Sequence, residues 1–288
     1  MTGKTPKERE TRQAELLAML ALQLAWGVDE SLEALPRDRT RVQAERAERQ
    51  APYRSGECVK TLSAVPAGST PHPVGPVAEA ERSAASAETL DALREVFAAF
   101  QGCALRETAT SFVFADGSPD APVMLVGEGP GAEEDLAGLP FVGPSGRLLD
   151  RMLASIGLSR REGTVYMTNV VPWRPPGNRS PTDAEIAVCL PFLRRHIALA
   201  KPKLLVLAGG VPVKALFGAR EGITRLRGRW RMLELPGLAE PVATLPTLHP
   251  AYLLRNPGAK REAWSDLILL RRRLDTLLRQ SVPQIGRN

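Results

Sequence analysis

Residues 122–126 read PVMLV and residues 127–143 continue as GEGPGAEEDLAGLPFVG, and the fold turns on how this junction is read. An uncharged apolar run that stops at a turn sequence predicts a strand buried on both faces, as in a parallel sheet covered by helices. The loop after it lies at the carboxyl end of that strand, where open α/β sheets place their active sites. Gly127, Gly129 and Gly131 let a backbone approach a ligand closely, and Pro130 stiffens it. Glu128 brings a carboxylate into the same loop, and Phe141 a flat apolar ring. A dinucleotide fingerprint is the obvious competitor, because Gly127-x-Gly129-x-Gly131 has part of its spacing. Pro130 interrupts it, and Glu133, Glu134 and Asp135 fall where a helix amino terminus would have to receive a pyrophosphate that three carboxylates repel. Two readings stay open on this chemistry: a loop that binds a base or sugar, and a tight turn with an acidic helix cap.

Working outward, three more apolar runs have the length of buried strands, at 164–170, 203–208 and 242–247, beside the first at 122–127. Helical patterns separate them at 145–156, 181–200 and 211–217, and a last helix is predicted over 259–280. This alternation predicts an α/β fold, a three-layer α/β/α sandwich around a central four-stranded parallel sheet. Residues 86–101 predict one amphipathic helix through Leu90, Leu93, Val96, Phe97 and Phe100. Before it, residues 6–25 carry a leucine-rich helical pattern, and residues 36–85 are rich in Pro, Ala, Arg, Glu and Ser and read as a weakly ordered linker. The expected organisation is an extension over 1–85, a catalytic domain over 86–280 and a tail over 281–288.

The chain has 288 residues, ample for a real core, and a net charge of +6. Residues 1–90 sum to −1 and residues 91–288 to +7, so the basic excess belongs to the part that reads as folded and suits a polyanionic partner. Three widely spaced cysteines, Cys58, Cys103 and Cys189, give no disulfide framework and point to a reducing, cytoplasmic compartment. A charged amino terminus and the lack of any long apolar run predict neither a signal peptide nor a membrane span.

Two further loops follow predicted strands and should meet the first at one sheet edge. TNVVPWRPPGNR (168–179) offers Asn169, whose amide has both a donor and an acceptor for the edge of a ring. The same loop holds Arg174 and Arg179 for phosphates, and a rigid Pro175-Pro176-Gly177-Asn178 turn to press on a backbone. LHPAYLLRNP (248–257) offers His249 at a strand end and the Leu253-Leu254-Arg255 step, read as exposed apolar bulk beside a cation. Of the other histidines, His72 falls in the linker and His196, among basic neighbours, reads as a surface residue.

Together these three loops resemble the uracil-DNA glycosylase superfamily, most closely its type-four iron–sulfur class, over roughly residues 100–275. The resemblance implies release of uracil from DNA, single- or double-stranded, by cleavage of the bond between base and deoxyribose after the nucleotide is flipped from the stack. It implies that Phe141 stacks on uracil, that Asn169 reads its edge, and that His249 donates to O2 as the base leaves. Glu128 and Asn178 are the two candidates for positioning the attacking water, Gly129 and Glu134 line the pocket, and Glu134 helps to exclude the thymine methyl. Ser145, Arg174, Pro175 and Pro176 would contact DNA, and Leu253, Leu254 and Arg255 would enter the gap left by the flipped nucleotide. A monomer is expected, associated with the nucleoid when it acts on DNA.

The departures from that pattern matter as much. Related classes carry an aspartate where this chain has Gly129, so water activation is expected to be weaker or differently sourced. A four-thiolate iron–sulfur cluster is implied by the type-four resemblance, but Phe100 and Trp173 stand at two of its cysteine positions, leaving Cys103 and Cys189. The expectation is therefore a chain without metal or cluster, with Phe100 and Trp173 filling the space and two free, buried thiols. Two other functions compete: a damage-recognising DNA-binding relative with slow or no turnover, and a nucleotide-binding Rossmann-type enzyme, which the acidic run at 133–135 disfavours.

Overall fold

The computed structural model describes residues 75–280; the helix expected at 6–25, most of the 36–85 linker with Cys58 and His72, and the 281–288 tail lie outside them. In chain order the elements are α1 (Pro76–Ser86), α2 (Leu90–Ala99), α3 (Leu105–Thr108), β1 (Ala115–Gly117), β2 (Val123–Gly127), α4 (Ala132–Ala137) and α5 (Pro144–Ala154). There follow β3 (Val165–Asn169), α6 (Asp183–Ala200), β4 (Leu204–Ala208), α7 (Gly210–Phe217), α8 (Ile223–Leu226), β5 (Arg231–Leu233), β6 (Val242–Thr247), α9 (Pro250–Arg255) and α10 (Lys260–Gln280).

The strands form one six-stranded sheet in the order β1-β3-β2-β4-β6-β5. Its inner four strands are the four predicted ones, mutually parallel, with Val123 opposite both Val165 and Leu204 and with Leu204 opposite Ala243. The sheet is nevertheless mixed, because β1 and β5 add antiparallel edges of three residues each. Neither was expected: Ala-Asp-Gly and Arg-Met-Leu are too short and too polar to show an apolar run.

Period-two alternation decides which helices cover which face. Met124, Val126, Tyr166, Leu205 and Leu207 face a core shared with Leu93, Phe97, Phe192 and Ile197, which places α2 and α6 on that side. Val123, Leu125, Val165, Met167, Leu204 and Val206 face Leu149, Leu153, Leu267 and Leu270, which places α5 and α10 on the other. Every residue of β2, β3, β4 and β6 is buried, which explains why these strands read as continuous apolar runs.

Two expectations are corrected here. The last ten residues of the expected linker are not irregular: α1 starts on Pro76 and buries Ala80 and Ala84, packing on α6. An alanine-rich helix that buries only methyl groups shows no large apolar stripe, so its composition resembles that of a linker. The single helix expected over 86–101 begins only at Leu90, where Thr89 accepts the Ala92 N–H at 3.1 Å as an amino-terminal cap. Among the described residues, no helix is long and apolar enough to cross a membrane.

Candidate active site

β2 lies in mid-sheet with β3 on one side and β4 on the other, and its successors cross to opposite faces, so a crevice opens at the carboxyl ends of the strands. A cleft of about 340 Å³ lies there, bordered by Glu128, Phe141, Asn169, Asn178, His249 and Arg255, from all three loops singled out in the sequence. That volume is within the range of small-ligand sites. His249 reaches it across the end of β4 because the chain there is trimmed to Gly209, at φ +101°; a Cβ on Gly209 would stand 3.2 Å from that of His249.

The first loop is held by its own acidic residues. Glu134 accepts the Gly131 N–H at 3.1 Å through one oxygen, and those of Val142 and Gly143 at 3.0 and 2.8 Å through the other. It thereby clamps both ends of the segment that carries Phe141. Asp135 accepts the N–H groups of Thr110 and Ser111, each at 2.9 Å. The acidic cap is thus real for Glu134, which also lines the cleft, while Asp135 ties α4 to residues 110–111. Glu133 stays at the surface beside Arg147, 3.2 Å away.

Two polar side chains, Asn169 and His249, and the ring of Phe141 meet in the cleft. Asn169 ends β3 and is buried, yet its amide makes no hydrogen bond to any described residue. Phe141 lies against it: a Cβ on Gly127 would come within 2.4 Å of the Phe141 ring and 2.5 Å of Asn169 Oδ1, so only glycine lets ring and amide meet over this strand end. The His249 ring is 6.1 Å from that of Phe141, centre to centre. His249 caps α9, its Nδ1 accepting the Ala251 N–H at 3.2 Å. Nδ1 as acceptor places the proton of the neutral ring on Nε2, and Nε2 has no partner among the described residues. Burial, aided by the positive charge of Arg255, lowers the His249 pKa to about 4. The ring is therefore neutral near pH 7 and is a donor through Nε2.

Glu128 is half-buried at the cleft, and its carboxylate pairs with no described residue. Asn178 also borders the cleft; its Oδ1 accepts from Arg174 Nε at 2.7 Å, which takes one of that oxygen's two lone pairs. A Cβ on Gly129 would stand 2.7 Å from a Val171 methyl, so an aspartate at 129 would have to displace Val171. Gly129, Glu134, Ser145 and Pro175 line the cleft; Arg174, Pro176, Leu253 and Leu254 do not.

Three expectations need correcting. Leu253 is fully buried, packed with Leu148, Leu248 and Ala263, and is not available to enter DNA; Leu254, 42% exposed, and Arg255 are. Arg179 is held by Glu185 through two bonds of 2.9 and 2.7 Å, and this pairing draws Glu185 down to about 2, so the guanidinium is already committed. His196 is not at the surface but buried, stacked on Phe114 with ring centres 4.4 Å apart and hydrogen-bonded to the Tyr166 hydroxyl at 2.9 Å.

The donor set does not fit a four-thiolate cluster. Cys103 and Cys189 are buried with their sulfurs 3.9 Å apart, and among the described residues no third His, Cys, Asp or Glu joins them in a metal-holding group. Aromatic rings fill the surroundings: Phe97 stacks on Phe192 at 4.0 Å, Phe100 tilts against Phe192 at 5.1 Å, and Trp173 meets Phe97 edge-on at 5.3 Å. The hydrogen bond to Cys103, and then burial, push the Cys189 thiol well above its usual range, as for an inert core thiol.

A family model described as the uracil DNA glycosylase superfamily matches residues 114–268. The type-4 uracil-DNA glycosylase of Sulfurisphaera tokodaii is 37% identical over 182 residues, covering 60% of this chain and 80% of that protein. That of Archaeoglobus fulgidus is 37% identical over 183 residues, 62% and 90% of the two chains. The corresponding Thermotoga maritima protein is 40% identical over 155 residues, 54% and 77% of the two. The matched span runs from β1 into α10 and contains all three cleft loops.

Proposed function

The chain belongs to the uracil-DNA glycosylase superfamily, and from that membership we propose that it hydrolyses the glycosidic bond of deoxyuridine in DNA, on a nucleotide flipped into the cleft. The observation that carries this reading is the pair of polar groups that open on the cleft without protein partners, the amide of buried Asn169 and Nε2 of half-buried His249, set around the ring of Phe141. Two free polar groups in the wall of a cleft, beside a flat apolar face, suit a ligand with a π face and a donor–acceptor edge. Uracil has both, and cytosine exchanges the donors and acceptors that Asn169 would meet.

In the proposed reaction, water adds at C1′ of the deoxyribose while the C1′–N1 bond breaks. The bonding pair leaves with the base, the negative charge spreads onto uracil O2, and His249 Nε2–H donates to it. A neutral imidazole gives that hydrogen bond without losing its proton. Glu128, the cleft carboxylate without a protein partner, orients the water and takes its proton. Asn178, with its Oδ1 engaged by Arg174, serves mainly as a donor at the rim. Free uracil and an abasic site are the products. Leu254 and Arg255 on α9 would fill the vacated stack, and the basic excess of residues 91–288 would hold the backbone.

We further propose that the chain does this without an iron–sulfur cluster, on the strength of Cys103 and Cys189 being the two thiols among the described residues and of the aromatic packing in the same core. Iron analysis of aerobically and anaerobically prepared protein tests it, and stoichiometric iron in either would overturn it. For the activity, gel assay of uracil-containing single- and double-stranded oligonucleotides at enzyme excess should show alkali-labile abasic product. A stable complex with no product would instead support the damage-binding alternative.

A further inference from the structure

Phe141 is held in an unusual way. Its φ is +56°, a region that a residue with a side chain rarely occupies. The Phe141 carbonyl lies against α5, so close to Gly146 that a Cβ there would overlap its oxygen. One side chain meets it there. Arg160, in the loop between α5 and β3, donates from Nη2 to the Phe141 carbonyl at 2.7 Å and from Nη1 to the Pro140 carbonyl at 2.8 Å. The guanidinium is itself fixed by Asp116 of β1 at 2.9 Å and by Asp150 of α5 at 2.8 Å, and its side chain is only 10% exposed. It does not line the cleft.

We propose that Arg160 is a positioning residue for base stacking: it locks two consecutive carbonyls so that the Phe141 ring stands against Asn169 and His249. This rests on the reading that Phe141 stacks on the excised base. A planar fork with five donors can span two carbonyls and two carboxylates at once, which a lysine ammonium cannot. If the fork is lost, the peptide after Pro140 is free to relax from positive φ, and the ring moves with it.

The test is a double-mutant cycle on uracil excision with Arg160→Gln, Phe141→Leu and the two combined, with kcat and KM separated and melting temperature recorded for each. Phe141→Leu and Arg160→Gln should each lower kcat/KM by about tenfold or more, and the double variant should fall no further than the worse single one, as for groups that act as a unit. Arg160→Lys should recover part of the loss. Where Arg160→Gln does not stay folded at assay temperature, Arg160→Lys takes its place in the cycle, with the same lack of additivity required. If Phe141→Leu loses activity while the Arg160 variant keeps it, or if the two losses multiply, the positioning role is overturned and stacking survives. If Phe141→Leu keeps full activity, the stacking reading fails first and this proposal falls with it.

Discussion

His249 has the most specific chemistry of any residue in the cleft. A backbone N–H fixes its tautomer and burial keeps it neutral, with a pKa of about 4 against a usual 6.5. Lowering the pH from 7 to 5 therefore leaves it uncharged, so kcat/KM should show no loss with a midpoint near 6.5; an acid limb centred there would show that His249 titrates as an ordinary histidine. Its replacement by Ala removes a donor to the developing anion and should lower kcat by about 10²–10³-fold, the usual cost of one oxyanion donor. The water has two candidate partners, and kinetics separates them. Glu128→Gln should lower kcat by about 10²-fold or more with KM nearly unchanged, as for loss of a general base. Asn178→Ala, with Asn178 Oδ1 already bonded to Arg174, should cost much less; the reverse ranking would move water activation to Asn178.

At the scale of elements, α9 divides its labour between neighbouring leucines. Leu253 lies in the core and Leu254 at the surface. Leu253→Ala should therefore destabilise the fold by roughly 2–5 kcal/mol, as for a buried leucine. Leu254→Ala should leave stability within about 0.5 kcal/mol, as for an exposed position, while weakening excision from duplex DNA; denaturant unfolding and duplex assays read the two effects apart. The sequence could not divide Leu253 from Leu254, because a six-residue helix is too short for a periodic pattern to show which face turns inward. The acidic helix α4 has the opposite history. Its carboxylates at 133–135 argued against a pyrophosphate site by charge alone, but that Glu134 clamps the loop around Phe141 depends on hydrogen bonds to residues eight and nine positions away. Arg160 was still less legible: its partners Asp116 and Phe141 lie 44 and 19 residues distant, and nothing local marks it.

For the molecule as a whole, the inner sheet was readable because strands buried on both faces must be continuous apolar runs, and three loops with unusual residues then had to converge at one edge. The burial of His196 was readable in principle, since Phe192, Leu193, His196 and Ile197 share a helical face; its basic neighbours Arg194 and Arg195 obscured the pattern. That burial has a consequence for stability. Burial lowers His196 to about 3 and His249 to about 4, from 6.5 in the unfolded chain. Between those values the unfolded state binds more protons, so the stability from keeping each ring neutral is complete above pH 6.5. It is lost progressively as pH falls from 6.5 towards the folded values and is gone below them. At pH 4.5 the loss should be on the order of 2 kcal/mol per histidine, and His196→Leu should flatten the pH dependence of unfolding relative to wild type; an unchanged dependence would contradict it. The central claim, that the cleft joining Asn169, Phe141 and His249 excises uracil from DNA, is tested most directly by single-turnover assay of a uracil-containing oligonucleotide with wild type and His249→Ala in molar excess. The wild type should give abasic product, and the variant a rate at least about 10²-fold lower. Absence of product from the wild type, or equal rates from both proteins, would contradict it.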